Sequence, residues 1–266
     1  MTLLENKFVI ADEVKQEILD RLNDIETEEG VSIFYACESG SRAWGFPSED
    51  SDYDVRFLYL RPSDWYLSID LESKRDVIER PINDLLDISG WDLRKALQLF
   101  RKSNPPLLEW LNSPIVYQEK GSISQVLRDL IPEYYSRVKC MHHYLHMAQG
   151  NFREYLRGDI VWVKKYFYVL RPILAIKWIE TRSDAVPMEF GKLVDSCVES
   201  NELKTSINTL VEQKRAGQEL DRQPRIDIIS EFIESELQRL ESVIVEDKVK
   251  LDSASLDQLF RSSLGF

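Results

Sequence analysis

The residues best suited to chemistry lie in ACESGSRAWGFPSEDSDYDVRFLYL, residues 36–60. Side chains alternate across a β-strand, so Asp52 and Asp54 are expected to face the same way. Tyr53, Val55 and Phe57 would then face the other way, into a core. Two neighbouring carboxylates repel each other unless a cation neutralises them or water screens them. Because Mg²⁺ takes carboxylate and phosphate oxygens as ligands, the pair predicts a magnesium site at the start of a strand.

A third carboxylate on a neighbouring strand would complete such a site. Asp87 stands between Leu86 and Ile88 and is expected to project from a strand edge. Asp84 and Asp92 are close by in the sequence and remain alternatives for this third ligand.

A Gly-Ser turn precedes the two aspartates and directly follows an apolar segment. Gly40 lets the backbone turn tightly and lets a phosphate approach the amide groups closely. Ser41 adds a hydroxyl donor and Arg42 a cation, so the three residues would hold the β- and γ-phosphates of a nucleotide. Two metal ions about 4 Å apart can activate a hydroxyl nucleophile and stabilise a leaving pyrophosphate. The pattern therefore predicts transfer of a nucleoside monophosphate from a nucleoside triphosphate.

Two simpler interpretations compete with this one. Glycine and aspartate both favour turns, so a solvated surface turn would carry the same residues. The segment DSDYD, residues 50–54, also resembles the start of an EF-hand loop, but Val55 would stand where that loop needs Gly and Arg61 where it needs Glu. The longer GSRAWG string, the flanking apolar segments and the later acid favour the nucleotide site.

The elements that would position these residues form an α/β pattern up to about residue 115. Apolar spacing predicts an amphipathic helix over 11–29 and a helix over 91–103 with Ser89 as its N-cap. β-branched and aromatic residues predict strands over 31–37 and 53–60 and a third within 75–90, interrupted by Pro81. Beyond residue 115 only helices are predicted, over 121–150, 159–181, 188–199, 201–217, 226–248 and 254–264. We therefore predict an α+β fold with a mixed-sheet catalytic domain over 1–115 and an all-helical domain over 116–266.

Further cations and the histidines are candidate site residues. The helix over 91–103 carries Arg94, Lys95, Arg101 and Lys102 opposite its apolar face. A solvated basic face is the commoner case, and contact with a phosphate or with nucleic acid from a helix beside the acids is the functional alternative, for Lys95 above all. All three histidines lie in HHYLH, residues 142–146, and are expected on a helix surface or in contact with nucleotide or acceptor rather than at a metal.

Composition limits the class of protein. The chain has 266 residues, of which 43% are hydrophobic and 30% charged, which argues against global disorder. Its net charge of −12 does not favour non-specific binding of duplex DNA. The three scattered cysteines fit a reducing compartment, and the most apolar run, residues 166–179, is too short and too charged to span a bilayer. We therefore expect a cytoplasmic protein without a membrane partner.

The order and spacing of these residues resemble a known family. Gly40-Ser41, ten intervening residues, Asp52-Tyr53-Asp54 and then Asp87 are similar to the motif of DNA-polymerase-β-like nucleotidyltransferases. The strings DISGWDLRKAL, KSNPPLLEWLNSPIVY and KKYFYVLRPILA resemble a branch of predicted bacterial nucleotidyltransferases, some of which are associated with RNA repair gene clusters. The resemblance covers about residues 30–180.

The resemblance implies a division of roles among the residues. Asp52 and Asp54 would bind two Mg²⁺ ions, and Asp87 would bind the ion that activates the acceptor hydroxyl. A helix of the second domain would close over the nucleotide, with Lys165 and Tyr168 facing it.

The activity expected on this basis is Mg²⁺-dependent transfer of a nucleoside monophosphate from an NTP to a hydroxyl, with RNA among the candidate acceptors. A regulatory, antitoxin-like protein that nucleotidylates a partner protein, and a nucleotide-binding protein without catalysis, are the alternatives.

Overall fold

A computed structural model describes residues 10–82, 85–182, 184–241, 243 and 252–266. Up to residue 134 the elements are, in chain order, α1 Asp12–Glu29, β1 Ser32–Glu38, α2 Gly40–Trp44, β2 Tyr53–Leu60, α3 Ser63–Tyr66, a 3₁₀ helix Leu71–Ser73, β3 Val77–Glu79, β4 Leu86–Asp92, α4 Leu93–Arg101, α5 Pro105–Leu111, β5 Val116–Glu119 and α6 Ile123–Tyr134. They continue as α7 Arg137–Tyr155, β6 Ile160–Trp162, a 3₁₀ helix Val163–Lys165, α8 Tyr166–Thr181, α9 Phe190–Cys197, α10 Asn201–Arg215, β7 Arg222–Pro224, α11 Asp227–Leu240 and α12 Ala254–Ser263.

The chain forms two compact units that are not continuous in sequence. The first holds the described residues of 10–43, 52–134 and 252–266, and the second holds 44–51 and the described residues between 135 and 243. The first unit extends past the predicted boundary at residue 115 because β5 pairs with β1. It also takes in α12 from the far end of the chain.

The first unit is built on a five-stranded mixed sheet with the order β3-β4-β2-β1-β5. β2 and β4 run parallel, and the remaining neighbours are antiparallel. The predicted mixed-sheet α+β fold is confirmed. The predicted third strand is two strands, β3 and β4, because Pro81 lies in the connection between them and cannot donate to a ladder.

One face of this sheet packs on α1. Ile18, Leu22 and Ile25 recur every three to four residues along the helix and are buried there. On the sheet side, Val55 and Phe57 of β2 are fully buried in the same cluster, as the alternation of the sequence predicted. Asp54 and Arg56 therefore belong to the opposite face of β2.

The start of α4 differs from the prediction. β4 runs on to Asp92, so Ser89 lies within the strand instead of capping a helix. Asp92 is the N-cap, and its carboxylate accepts a hydrogen bond from the backbone N–H of Arg94 at 2.8 Å. At the other end, Asn104 caps the short helix α5, which follows α4 almost directly.

The second unit is mostly helical. The predicted helix over 121–150 is two helices, α6 and α7, of which only α7 belongs to this unit. The start of the predicted helix over 159–181 is instead β6, which pairs with β7 in a two-stranded ribbon. Its three apolar residues are separated from the apolar residues of α8 only by the short 3₁₀ helix Val163–Lys165, so the sequence pattern did not distinguish the strand from the helix. The predicted helix over 226–248 begins as α11, and its residues 244–248 lie outside the described residues.

Candidate active site

Two of the three predicted site acids, Asp54 and Asp87, are brought together by strand pairing. Asp54 and Asp87 are register partners on the parallel strands β2 and β4, so both carboxylates project from the sheet face opposite α1. Each carboxylate is about one third exposed or less, at 27% for Asp54 and 32% for Asp87. Two acids side by side in this setting repel each other unless a cation lies between them.

A guanidinium supplies that cation. One terminal nitrogen of Arg56, Nη2, lies 3.0 Å from Asp54 Oδ1 and 2.7 Å from Asp87 Oδ2. The other terminal nitrogen donates to the backbone oxygen of Asp87 at 2.9 Å. The two carboxylates therefore converge on one positively charged point. Sequence analysis missed Arg56, although its position two residues after Asp54 puts it on the same face of β2.

Burial and charge act in opposite directions on Asp54. Burial raises the pKa of Asp54 above its ordinary value, Arg56 lowers it, and the negative charges of Asp87 and Asp52 raise it further. A bound dication would favour the charged form more strongly than one guanidinium does.

Asp52 lies just before β2 and is exposed. Its backbone oxygen accepts a hydrogen bond from Arg42 Nε at 3.2 Å. The guanidinium of Arg42 also lies over the Tyr53 ring, 3.7 Å from the centroid. Arg42 is thus held beside the start of the strand that carries the acids.

Gly40 is the first residue of α2, the short helix that follows β1. Its φ is +61°, a conformation that favours glycine. A Cβ at this position would overlap the Asp54 carboxylate. Gly40 therefore allows the turn to approach the acid, and Ser41 follows it in α2 at intermediate exposure.

A fully buried glutamate supports this arrangement from β1. Glu38 Oε1 accepts a hydrogen bond from the backbone N–H of Asp54 at 2.8 Å, and Oε2 accepts one from the Tyr117 hydroxyl. Burial raises the pKa of Glu38 to about 7, while these two hydrogen bonds lower it. Glu38 was not among the residues predicted for the site. A charged residue at the end of the apolar run VSIFYAC was the pattern that pointed to it.

Asp92, one of the two alternatives for the third acid, lies on the other face of β4 from Asp87. Asp92 is five residues beyond Asp87 on β4, so its side chain points to the other face. It is buried and accepts a hydrogen bond from the Tyr66 hydroxyl at 2.6 Å. Asp84 lies outside the described residues.

Lys95 is not brought to the acids. It lies in α4, beyond the carboxyl end of β4, and its Nζ is 2.9 Å from Asp76 Oδ1. Asp87 is near the opposite end of that strand, about 17 Å from Asp92 at 3.3 Å per residue. That Lys95 contacts a phosphate or nucleic acid stays a prediction.

Lys165 and Tyr168 lie in the second unit. The Lys165 ammonium is 4.4 Å from the centroid of the Tyr155 ring and 4.7 Å from that of Tyr168. The Tyr168 ring meets the edge of Trp44 at 5.7 Å between centroids. That these residues face a nucleotide stays a prediction.

The carboxylates of the candidate site are ligands of the kind that a metal ion needs. Carboxylate oxygens suit Mg²⁺, and Asp54 and Asp87 already converge on a cationic nitrogen. Within the described residues, no group of three or more His, Cys, Asp or Glu is gathered closely enough to hold a metal ion. The chemistry of the donors fits Mg²⁺, and the gathering of Asp52 with the other two acids stays a prediction.

The candidate site as described does not include the cysteines or the histidines. Cys37, Cys140 and Cys197 are buried and form no disulfide with one another. The rings of His142 and His146 on α7 are 6.5 Å apart. No helix among the described residues has the length and apolar character needed to cross a membrane.

Comparison with known proteins agrees with the resemblance seen in the sequence. The chain is 54% identical over 237 residues to Uncharacterized protein YcgL of Bacillus subtilis (strain 168), a match that covers 89% of this chain and 90% of that protein. A solved structure, the nucleotidyltransferase-like protein of Exiguobacterium sibiricum 255-15, is 12% identical, with 94% of this chain and 80% of that one covered and a TM-score of 0.33. The model of the RNA repair pathway DNA polymerase beta family, RlaP, matches residues 14–262. The chain therefore belongs to the RNA repair pathway DNA polymerase beta family, a polymerase-β-like branch of the nucleotidyltransferases.

Proposed function

We propose that the protein transfers a nucleoside monophosphate from an NTP to a hydroxyl of RNA, in the presence of Mg²⁺. The observation that carries this proposal is the convergence of Asp54 and Asp87 on one cationic nitrogen beside a Gly-Ser turn. The family description, which refers to RNA repair, supports RNA as the acceptor.

In this proposal the residues have separate tasks. Asp52, Asp54 and Asp87 would hold the metal ions, which supply Lewis-acid stabilisation of the triphosphate and of the attacking oxygen. Ser41 and Arg42 would bind the β- and γ-phosphates. Their side chains follow Gly40, whose missing Cβ leaves room for the turn to approach Asp54.

The reaction is a single displacement. The acceptor oxygen forms a bond to the α-phosphorus, and the bond from that phosphorus to the oxygen bridging to the β-phosphate breaks. Pyrophosphate leaves with the electron pair of the broken bond, and the proton of the acceptor hydroxyl passes to a carboxylate of the site.

Arg56 has a defined part in this scheme. Its guanidinium keeps two acids close together when no dication is bound, by offsetting their repulsion. Binding of Mg²⁺ would take over that role, so Arg56 would have to release at least one carboxylate.

The test uses α-³²P-labelled NTPs with Mg²⁺ and RNAs that end in a free 3′ hydroxyl. We expect label on the RNA with the wild-type chain, and a fall of at least about a hundredfold in Asp54→Asn and Asp87→Asn, because each change removes one negative charge from the metal site. Asp70→Asn, an exposed acid elsewhere in the first unit, is the matched control and should keep full activity. Circular dichroism checks that each variant is folded.

The outcome also separates the alternatives. Label on a protein would favour a regulatory nucleotidylating activity, and NTP binding without transfer would favour a non-catalytic protein. Full transfer activity in both site variants would contradict the assignment of the acids.

A further inference from the structure

A groove lies between α4 and α12, both in the first unit. Its volume is about 560 Å³, within the range of about 300–1,000 Å³ typical of ligand pockets. It is separate from the acids, because α4 begins about 20 Å along β4 from Asp87. We call it the α4–α12 groove.

One wall of the α4–α12 groove is cationic. Arg94, Arg101 and Lys102 line it, and their spacing of seven and eight residues puts them on one face of α4. Arg94 and Arg101 are about 10 Å apart along the helix axis. The cations therefore form a row two helical turns long, on a chain whose net charge is −12.

These cations are available to a ligand. Arg101 and Lys102 are exposed, and within the described residues neither side chain has an ion pair. Arg94 pairs with the exposed Glu72 at 2.6 Å, which is a weak type of interaction at a surface. The acid in the lining, Asp257, accepts a hydrogen bond from Ser253 at 2.6 Å.

The floor of the α4–α12 groove is apolar and partly aromatic. Leu256 is buried, and Phe260 lies beside it one turn along α12. The Phe260 ring is held edge-on to Tyr66, with 5.0 Å between the centroids. A cationic wall beside an aromatic floor is the combination with which proteins bind unpaired nucleotides, the phosphates on the cations and a base on the ring.

We propose that the α4–α12 groove binds single-stranded RNA, and that it holds the body of the acceptor while its end reaches the acids. The row of cations suits an anion repeated along a chain better than a single phosphate. The aromatic floor needs bases that are not already paired, which excludes a duplex. The choice of RNA as the nucleic acid rests on the proposed function.

The test measures binding without catalysis. Fluorescence anisotropy with a labelled single-stranded RNA and the full chain, in EDTA and without NTP, gives the Kd as a function of salt. We expect the double variant Arg101→Glu and Lys102→Glu to weaken binding at least tenfold. The slope of log Kd against log salt should fall by about 1.4, as expected for two lost phosphate contacts at about 0.7 each.

The matched control carries the same change of net charge elsewhere in the first unit. Lys15→Glu with Arg21→Glu alters two exposed cations of α1 and should change the Kd less than threefold. Equal weakening in both double variants, equal binding of duplex and single strand, or no binding by the wild-type chain would overturn the proposal. Single-stranded DNA of the same sequence should bind with a similar salt slope, because the groove contacts phosphates and base faces.

The proposed function and the proposed RNA binding by the α4–α12 groove are contradicted by different results. Absence of transfer by the wild-type chain, with intact RNA binding, would contradict the proposed function alone. Transfer to RNA that is unaffected by the charge reversal at Arg101 and Lys102 would contradict the α4–α12 groove alone.

Discussion

At the scale of single residues, the candidate site depends on buried groups that were not obvious beforehand. Arg56 offsets the repulsion between Asp54 and Asp87, and Glu38 holds the backbone of Asp54 from the neighbouring strand. Neither residue belongs to the motif of the Gly-Ser turn and the aspartates. Both contact Asp54, which belongs to that motif.

Glu38 gives a prediction about stability and pH. Its pKa is raised from an ordinary 4.5 to about 7, so the folded protein keeps a proton that the unfolded chain releases over this interval. The free energy of unfolding should therefore fall as the pH rises from about 4.5 to about 7. At about 1.36 kcal/mol per pKa unit, the loss from this group amounts to about 3 kcal/mol.

The variant Glu38→Gln isolates this effect. Its amide oxygen can still accept from the Asp54 N–H, and its amide nitrogen can donate to Tyr117, but it has no proton to lose. We expect the variant to gain stability relative to the wild type as the pH rises, measured by urea unfolding in EDTA at about pH 4.5 and about pH 8. Asp54 is present in both proteins, but the negative charge of an ionised Glu38 acts on it only in the wild type. Parallel pH profiles for the two proteins would show that Glu38 does not titrate in this way.

At the scale of elements, the loop between the Gly-Ser turn and the acids belongs to the second unit. Residues 44–51 are held there by α10. Lys214 Nζ donates to the buried hydroxyls of Ser48, at 2.5 Å, and Ser51, at 3.2 Å. Arg215 donates to the backbone oxygen of Gly45 at 2.7 Å. The loop is therefore fastened by its polar atoms as well as by the ring of Phe46, which stacks on Phe167.

Removing the Lys214 ammonium should loosen the loop. A hydrogen bond to a charged group contributes about 1.5–3 kcal/mol, so we expect Lys214→Met to speed amide exchange in the loop roughly ten- to hundredfold. Hydrogen–deuterium exchange with mass spectrometry on peptides covering residues 45–51 measures this. Lys204→Met is the control, because that lysine also lies on α10 but donates to Asp195, away from the loop. Unchanged exchange in the loop of the Lys214 variant would show that the apolar contacts alone hold it.

At the scale of the whole molecule, the first unit is completed by the end of the chain. Leu256 and Leu259 of α12 are buried, Phe260 packs on Tyr66, and the backbone oxygen of Asp252 accepts from the Tyr134 hydroxyl at 3.1 Å. A helix from the C-terminus thus covers part of a domain whose sheet is formed before residue 120.

Deletion of residues 252–266 should therefore destabilise the first unit. Loss of the buried Leu256 and Leu259 alone is expected to cost about 3–6 kcal/mol, at about 1.5–3 kcal/mol for each leucine. Urea unfolding followed by circular dichroism measures the shift of the midpoint. Deletion of residues 265–266 alone removes the exposed Phe266 and should leave the midpoint nearly unchanged. Equal midpoints for the wild type and the longer deletion would contradict a structural role for α12.

Much of the site was predictable because it depends on local geometry. The alternation of side chains along β2 puts Val55 and Phe57 on the face opposite Asp54, and this apolar face is the one that is buried. The spacing of Ile18, Leu22 and Ile25 likewise identified the buried face of α1. The Gly-Ser turn and the pair of acids lie within one short segment, so their order in the sequence is close to their order in space.

The remainder depends on pairings between distant residues, which no local pattern contains. The parallel register of β2 with β4 sets Asp87 beside Asp54, turns Asp92 to the other face and carries Lys95 away from the acids. The place of residues 44–51 in the second unit, and of α12 in the first, was decided by packing across long stretches of chain. Side-chain alternation and helical periodicity extend over a few residues, whereas strand register and unit membership depend on which surfaces bury each other once the whole chain has folded.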